Sequence, residues 1–180
     1  MIPVLKSERL FYCPLSLDHC TQDYVNWMND KDVYQFLESG GDYTVKALEE
    51  YLRSIIEKKT MLFWAIHLKE TKEHIGNIKI DSVNMKHGLG EYGILMGAKK
   101  HWGKGYAKEA SVTILEYCFT KVGLRKITLG VVDQNMTAVE LYKKIGFQIE
   151  GIYKKHGKYN GQYRDVLRMA LFNPYFIDSK

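Results

Sequence analysis

The stretch that decides the fold is GILMGAKKHWGKGYA, residues Gly93 to Ala107. It begins as an apolar strand, passes through a basic loop carrying Gly103 and Gly105, and opens a long helical pattern. In that pattern Ala107, Ala110, Ser111, Ile114, Leu115, Cys118 and Phe119 share one stripe, which predicts a helix from Gly105 to Thr120. A strand that runs through glycines into a helix makes an anion site. The first-turn N–H groups of a helix lack intrahelical partners, and its dipole places about half a positive charge there. Gly103 and Gly105 let the backbone approach a ligand closely and take conformations closed to other residues. Lys99, Lys100 and Lys104 add charge of the matching sign, so a diphosphate would fit the junction; the other reading of Gly-x-Gly before a helix is a plain turn and cap. Two familiar phosphate loops are ruled out. No Gly-Lys-Ser/Thr follows the glycines, and no third glycine completes a dinucleotide fingerprint.

Toward the N-terminus, Glu91–Met96, His74–Ile80 and Met61–Leu68 read as strands. Polar segment 69–73 and the turn His87-Gly88-Leu89-Gly90 separate them, which suits consecutive antiparallel pairing. Thr44 caps a helix with Val45, Leu48, Leu52, Ile55 and Ile56 on one face. Ser16 caps an earlier helix carrying Leu17, Cys20, Tyr24, Trp27 and Met28, which Asn29-Asp30 ends. Arg9–Pro14 is a weak opening strand. Toward the C-terminus, Lys126–Val132 alternates as a strand, and a short helix from Asn135 or Thr137 to Ile145 stops at Gly146. Strands Phe147–Tyr153 and Asp165–Leu171 follow, joined by a polar, glycine-containing loop. With no repeat or linker, residues 1–180 form one domain of mixed α/β (α+β) class.

Composition agrees and narrows the classes. At 46% hydrophobic and 26% charged the chain is globular rather than disordered. Its strongest apolar run, Met61–Leu68, is too short to span a bilayer. The opening MIPVLKSERL reaches charge too soon for a signal-peptide core, so a cytoplasmic protein with no membrane partner is expected. Cys13, Cys20 and Cys118 are an odd number at no ligand spacing, and the six histidines are scattered. The expectation is a reduced protein with no metal site. A net charge of +5 suits an acidic ligand or is simply solvated surface. No helix-turn-helix or arginine-rich face appears, so nucleic acid is not an expected partner.

A second block, Asn135-Met-Thr-Ala-Val-Glu-Leu-Tyr142-Lys-Lys144-Ile-Gly146-Phe147, joins the first. Together they resemble the GNAT acyl-CoA N-acyltransferases. Ser7-Glu-Arg-Leu10, Trp27-Met-Asn-Asp30, Trp102 to Ala110, Glu150-Gly151 and Arg164-Asp165-Val-Leu extend the similarity to the RimJ/RimL-like branch over nearly the whole chain. The resemblance implies the GNAT fold, with a mostly antiparallel sheet splayed at the acetyl-CoA site and about four flanking helices. It implies acetyl-CoA as the acyl-donor cofactor, no metal, and possible homodimers. The pantetheine arm would pair with the strand ending Leu95-Met96-Gly97. The pyrophosphate would sit on N–H groups of the run His101, Trp102, Gly103, Lys104, Gly105, Tyr106 and Ala107, with Lys100 also among the cofactor-binding residues. Asn135 would bond the arm, with Tyr142 and Lys144 on the helix beside it. Lys100 departs from the usual Gln or Arg, and Ala138 stands where many members carry serine.

Amide formation by direct attack needs a base for the amine, a donor for the oxyanion and an acid for the leaving thiolate. The resemblance implies a backbone N–H of Leu95/Met96 for the oxyanion and Tyr142 for the acid; a core tyrosine is the other reading of Tyr142. The resemblance also implies Glu91 as the base, acting through a water, with a solvated strand-end charge as its other reading and His87 as the alternative base. The acceptor would enter between Trp27–Tyr43 and Tyr153–Tyr163. There Trp27, Tyr34, Phe36, Tyr43, Tyr153, Tyr159 and Tyr163 suit a sugar ring, a base or a cation, or are core and rim packing. Lys154, Lys155 and Lys158 would meet phosphates or form a solvated face. The run His74–Ile80, leading through Asn84 and His87 to Glu91, resembles enzymes for nucleotide-linked amino sugars, which favours a small amine over a protein N-terminus or a polyamine. An acyl-CoA-sensing or nucleic-acid-binding module is the non-enzymatic alternative.

Overall fold

The computed structural model describes residues 2–176. In chain order the elements are β1 (Leu5–Lys6), β2 (Leu10–Pro14), α1 (Gln22–Asn29), α2 (Lys31–Tyr34), α3 (Val45–Ile56), β3 (Leu62–Leu68), β4 (His74–Asn84), β5 (Leu89–Met96), α4 (Tyr106–Tyr117), β6 (Lys126–Val132), α5 (Met136–Ile145), β7 (Gln148–Tyr159) and β8 (Gln162–Phe172). One eight-stranded sheet has the order β1-β2-β3-β4-β5-β6-β8-β7. Its pairings are antiparallel except β5–β6, which run parallel for only three rungs, Leu89–Lys126, Gly90–Ile127 and Glu91–Thr128. Past those rungs β5 continues along β4 and β6 continues along β8, so the sheet splays between them.

Alternation along β5 assigns the two faces. Tyr92 points toward α4 and α5: its hydroxyl meets Ser111 at 2.7 Å and its ring lies edge-on to Tyr142 at 5.7 Å. Gly93 and Leu95 belong to the other face, beneath α1 and α3. The expected apolar stripes fill the core, with Leu48, Leu52 and Ile55 from α3 and Ile114, Leu115 and Cys118 from the α4 segment buried. Among the described residues no helix is long and apolar enough to cross a membrane.

Several boundaries differ from expectation: β4 runs on to Asn84, β5 begins at Leu89, β1 and α2 are additional, and three further differences have a local cause. Ser16 caps only a single 3-10 turn, Leu17–His19, because the His19 imidazole folds back onto the Ser16 N–H at 3.1 Å. Thr21 then starts α1, accepting from the Tyr24 N–H, and Cys20 falls between the two elements. The helix expected to reach Thr120 gives way after Tyr117 to a wider turn over Cys118–Val122, which Gly123 ends at φ 82°. The expected loop between Tyr153 and Asp165 is instead a continuous hairpin. β7 and β8 meet at Asn160-Gly161, both at positive φ (50° and 79°), the signature of a tight two-residue turn. Its residues face solvent on both sides, so no apolar alternation marked them as strand. β7 is the sheet's edge, and its register shifts between Ile149 and Gly151 and between Tyr153 and Gly157.

Gly97, just after β5, carries the tightest demand. A Cβ there would overlap the indole of Trp27, which is itself buried against His74 at a ring separation of 4.9 Å. Gly97→Ala is therefore expected to cost about 1–3 kcal/mol of stability by overpacking. Urea denaturation measures it, and an unchanged midpoint would remove this contact from the account.

Candidate active site

The head of α4, expected to take an anion, is built from backbone. Gly105 takes the cap position at φ 80° with no side chain to contribute, and Gly103 is left-handed at φ 74°. Thr21, Thr44 and Asn135 cap α1, α3 and α5 with side-chain oxygens; α4 has no such cap, and the first N–H groups of a helix lack intrahelical partners. The Ser7–Leu10 motif braces this loop from beneath. The Ser7 hydroxyl, the Arg9 N–H and the Arg9 Nε–H all donate to the Glu109 carboxylate at 2.7 Å. Arg9 also donates to the Lys104 carbonyl at 2.9 Å and lies over the Tyr106 ring at 4.4 Å. Burial alone would raise the Glu109 carboxyl, but these hydrogen bonds and the Arg9 charge together hold it below its ordinary value.

The loop's lysines are not equally free. Lys99 bridges Asp30 at 2.7 Å and Asp32 at 2.9 Å, and Lys100 pairs with Glu73 at 2.9 Å. Glu73 also meets His101 Nε2 at 3.1 Å. Two of the three cations expected at the phosphates thus tie the loop to its neighbours. Among the described residues Lys104 has no carboxylate partner.

The splay supplies an open strand edge. The Gly97 N–H donates to the Ile75 carbonyl, which fixes the phase of the antiparallel ladder. By alternation Gly93 and Leu95 direct their backbone groups at β4, while Tyr92, Ile94 and Met96 direct theirs into the gap. The Met96 carbonyl there accepts from the Trp102 indole at 2.8 Å. Of the Leu95/Met96 pair expected to serve the oxyanion, Met96 presents its N–H to the opening. Tyr142 on α5 is buried edge-on against Tyr92 and Phe147, and burial pushes its phenol up to about 12. Lys144 is exposed on the same helix. Asn135 Oδ1 accepts from the Ala138 N–H at 3.3 Å and caps α5, which leaves only its NH₂ for a ligand.

Glu91 stands on the last β5–β6 rung and is already engaged. Its two oxygens accept from Arg168 of β8 at 2.8 and 2.9 Å, and Thr128 lies 3.4 Å away. Arg168 reaches it across β6 because Gly130 leaves the space; a Cβ there would come 2.8 Å from Arg168 Nη1. Glu91 is absent from the lining of the acceptor-side cleft, and His87 is exposed on its turn.

That cleft, of about 330 Å³, lies on the α1/α3 face. Tyr24, Tyr43, Tyr51 and Phe63 wall it, Gly93–Leu95 form part of its floor, and Glu38, Lys79 and Asn77 are its charged and amide groups. Burial pushes Tyr51 up to about 12 and raises Tyr24 as well. Burial also raises Tyr159 at the hairpin tip, with a further push from Glu38. Of the aromatics expected here, Tyr43 lines the cleft. Trp27 packs on Gly97, Tyr34 lies against Gly40 and Gly41, Phe36 is outside the lining, and Tyr163 is exposed. Tyr153 packs on His156 at 4.9 Å. Lys154, expected at phosphates, pairs with Asp165 at 2.7 Å. Tyr24, Tyr51 and Phe63 were missed because their spacing reads as ordinary helix and strand core. The scattered histidines also conceal a cluster: Cys13 Sγ lies 3.5 Å from His19 Nε2 and 3.6 Å from His67 Nδ1.

An open strand edge, a glycine-built helix N-terminus and a tyrosine-walled cleft sharing β5 define an acyltransferase site. Residues 9–148 match the family model "Acetyltransferase (GNAT) domain", and the chain belongs to that family. It is 33% identical over 108 residues to the uncharacterized N-acetyltransferase p20 of Bacillus licheniformis, covering 60% of each protein. It is 26% identical over 177 residues to the uncharacterized N-acetyltransferase YoaA of Bacillus subtilis, covering 97% of this chain and 99% of that one. The crystal structure of spermidine N-acetyltransferase from Vibrio cholerae in complex with CoA and spermine superposes with a TM-score of 0.84. The two are 28% identical, over 92% of this chain and 96% of the other.

A depressed carboxyl stabilises the fold above its unfolded value and loses that contribution as pH falls through the folded value. For Glu109 the loss begins below its ordinary 4.5. Glu109→Gln is expected to lower stability at pH 7 and to flatten the acid decline of the melting temperature. An acid decline equal to the wild type's would show that the Ser7–Arg9 brace does not depend on charge.

Proposed function

We propose that the protein transfers an acetyl group from acetyl-CoA to a small primary amine bound in the tyrosine-walled cleft, by direct attack in a ternary complex. The observation that carries this is the double use of β5. Its backbone edge opens to the gap while Gly93–Leu95 line the cleft, so a thioester in one meets an amine in the other. The diphosphate rests on the N–H groups from Gly103 to Ala107, with Lys104 beside it. The pantetheine arm pairs with the free edge of β5, and Asn135 offers it the NH₂ that capping leaves unused. The attacking amine first loses its proton to water in the cleft. As it adds to the thioester carbon, the Met96 N–H holds the developing oxyanion. The Tyr142 phenol, neutral throughout the physiological range, gives its proton to the departing thiolate.

For the acceptor, Glu38 is the one carboxylate among the lining residues, and the lining Lys79 is paired with Asp81 at 3.3 Å. One carboxylate balances one ammonium, so the cleft suits a monoamine with a ring to lay on the tyrosines, such as an amino sugar. A polyamine is the second reading. It is favoured by the likeness to the spermidine enzyme and opposed by the scarcity of acids in the cleft. Glu91 is read as a clamp: a carboxylate accepting two charge-assisted bonds from Arg168 joins β5 to β8 at the point of splay.

Thiol release from acetyl-CoA over a panel of amino sugars, spermidine and free N-terminal peptides tests the acceptor. The highest kcat/KM is expected for an amino sugar, and preference for spermidine selects the second reading. Tyr142→Phe is expected to lower kcat about 100-fold with KM for acetyl-CoA unchanged; unchanged kcat would remove Tyr142 as the acid. Glu91→Gln and Arg168→Met are expected to lower kcat alike and to keep the acid limb of the pH profile. Loss of that limb in Glu91→Gln alone would instead make Glu91 the base.

A further inference from the structure

Four ligand-type side chains outside the transfer site gather beneath α1. Cys13 comes from β2, His67 from β3, His19 from the 3-10 turn and His74 from the start of β4. We propose that Cys13, His19 and His67 form a binding site for a zinc-type divalent cation, with the fourth coordination position left to water. The distances carry it. Zinc bonds of about 2.3 Å to sulfur and about 2.0–2.1 Å to nitrogen, set tetrahedrally, separate sulfur from nitrogen by about 3.5–3.6 Å. The two S···N separations, 3.5 Å to His19 and 3.6 Å to His67, match this; the three ligand atoms lie within 4.8 Å of one another, so the two imidazole nitrogens must close to about 3.3–3.4 Å around the ion by rotation of the His19 ring toward His67. In the metal-free protein the thiol donates to one imidazole and accepts from the other; a divalent ion replaces both hydrogen bonds with bonds to the same three atoms.

The surroundings are those of a ligand set. His19 Nδ1, the nitrogen not facing the sulfur, lies 3.1 Å from the Ser16 hydroxyl and 3.3 Å from the Ser16 carbonyl. In this structure Nδ1 also accepts from the Ser16 N–H at 3.1 Å; with Nε2 on a metal the ring takes the other tautomer, and the Nδ1–H donates to the Ser16 hydroxyl or carbonyl, the usual outer partner of a ligating histidine. His67 is stacked between Phe11 at 4.8 Å and His74 at 5.0 Å, which fixes its ring. His74 serves as wall rather than ligand, since its Nε2 is engaged by Asn77 Oδ1 at 2.9 Å and the Gly76 carbonyl at 3.0 Å. Cys13 and His67 are only partly buried, so a cation has a way in. Two imidazoles and one thiolate suit zinc among the common divalent ions. Binding is balanced by one proton: the Cys13 S–H bond breaks, the S–metal bond forms, and the proton leaves to buffer.

Metal-stripped full-length protein titrated with Co²⁺ and then with Zn²⁺ against a chromophoric chelator tests the site. The expected result is one ion per chain, with sulfur-to-cobalt charge-transfer absorption and the intense visible bands of four-coordinate cobalt. One proton should be released per ion, by calorimetry in buffers of different ionisation enthalpy. Cys13→Ser and His67→Gln should each weaken Zn²⁺ binding at least about tenfold, and Cys20→Ser should leave it unchanged. The cobalt spectrum of the wild type reports thiolate ligation even if a variant fails to fold. Absence of stoichiometric binding, a pale six-coordinate cobalt spectrum without the sulfur band, or equal weakening by Cys20→Ser overturns the proposal.

Discussion

Everything at the site depends on where β5 and β6 stop pairing. Three parallel rungs hold the two halves of the sheet together, and then each strand follows its other neighbour. In an unbroken sheet the Ile94 and Met96 backbone groups would be spent on the next strand; the parting leaves them for a ligand of strand-like shape. Keeping the edge open has a cost, because unpaired backbone is only tolerable where something else can bond it. The Trp102 indole meets part of that cost at the Met96 carbonyl. The ion pair of Glu91 with Arg168, passing over Gly130, sits at the fork itself.

The lysines around the phosphate loop show how charge and availability differ. Lys99 and Lys100 are neutralised by Asp30, Asp32 and Glu73, contacts that fasten the loop to the α1–α2 corner and the start of β4. What remains for an anion is mostly oriented N–H dipoles. They cost no side-chain entropy on binding and are already aimed. Placement, more than the +5 net charge, sets what this loop can offer an anion.

The element order and the strand–loop–helix junction were legible because each rests on local chemistry: glycines before a helix, a threonine cap, an apolar stripe. The Asn160-Gly161 turn was equally local. It went unread because the lysines and tyrosines around it lacked alternation, although the dipeptide alone signals a hairpin. The cleft walls and the pairing of Glu91 with Arg168 were not legible. Tyr24, Tyr51 and Phe63 meet only when α1, α3 and β3 converge, and Arg168 reaches Glu91 only through the β6–β8 register. The Cys13–His19–His67 cluster is the extreme case, for its members share no spacing and are joined only by β2–β3 pairing and a back-folded turn.

The irregular edge strand has a consequence for life in a crowded solution. A straight twelve-residue edge with Ile149, Ile152 and Tyr153 half exposed would be a template for another chain's strand. β7 is not straight. It steps out of register twice, turns Lys155 into the left-handed region at φ 47°, and carries Lys154, Lys155 and Lys158 along the same run. Each break interrupts the row of donors and acceptors that an incoming strand must match, and each lysine charges the approach. The same kinks that hid this hairpin from sequence periodicity are what keep the sheet from growing past its own last strand.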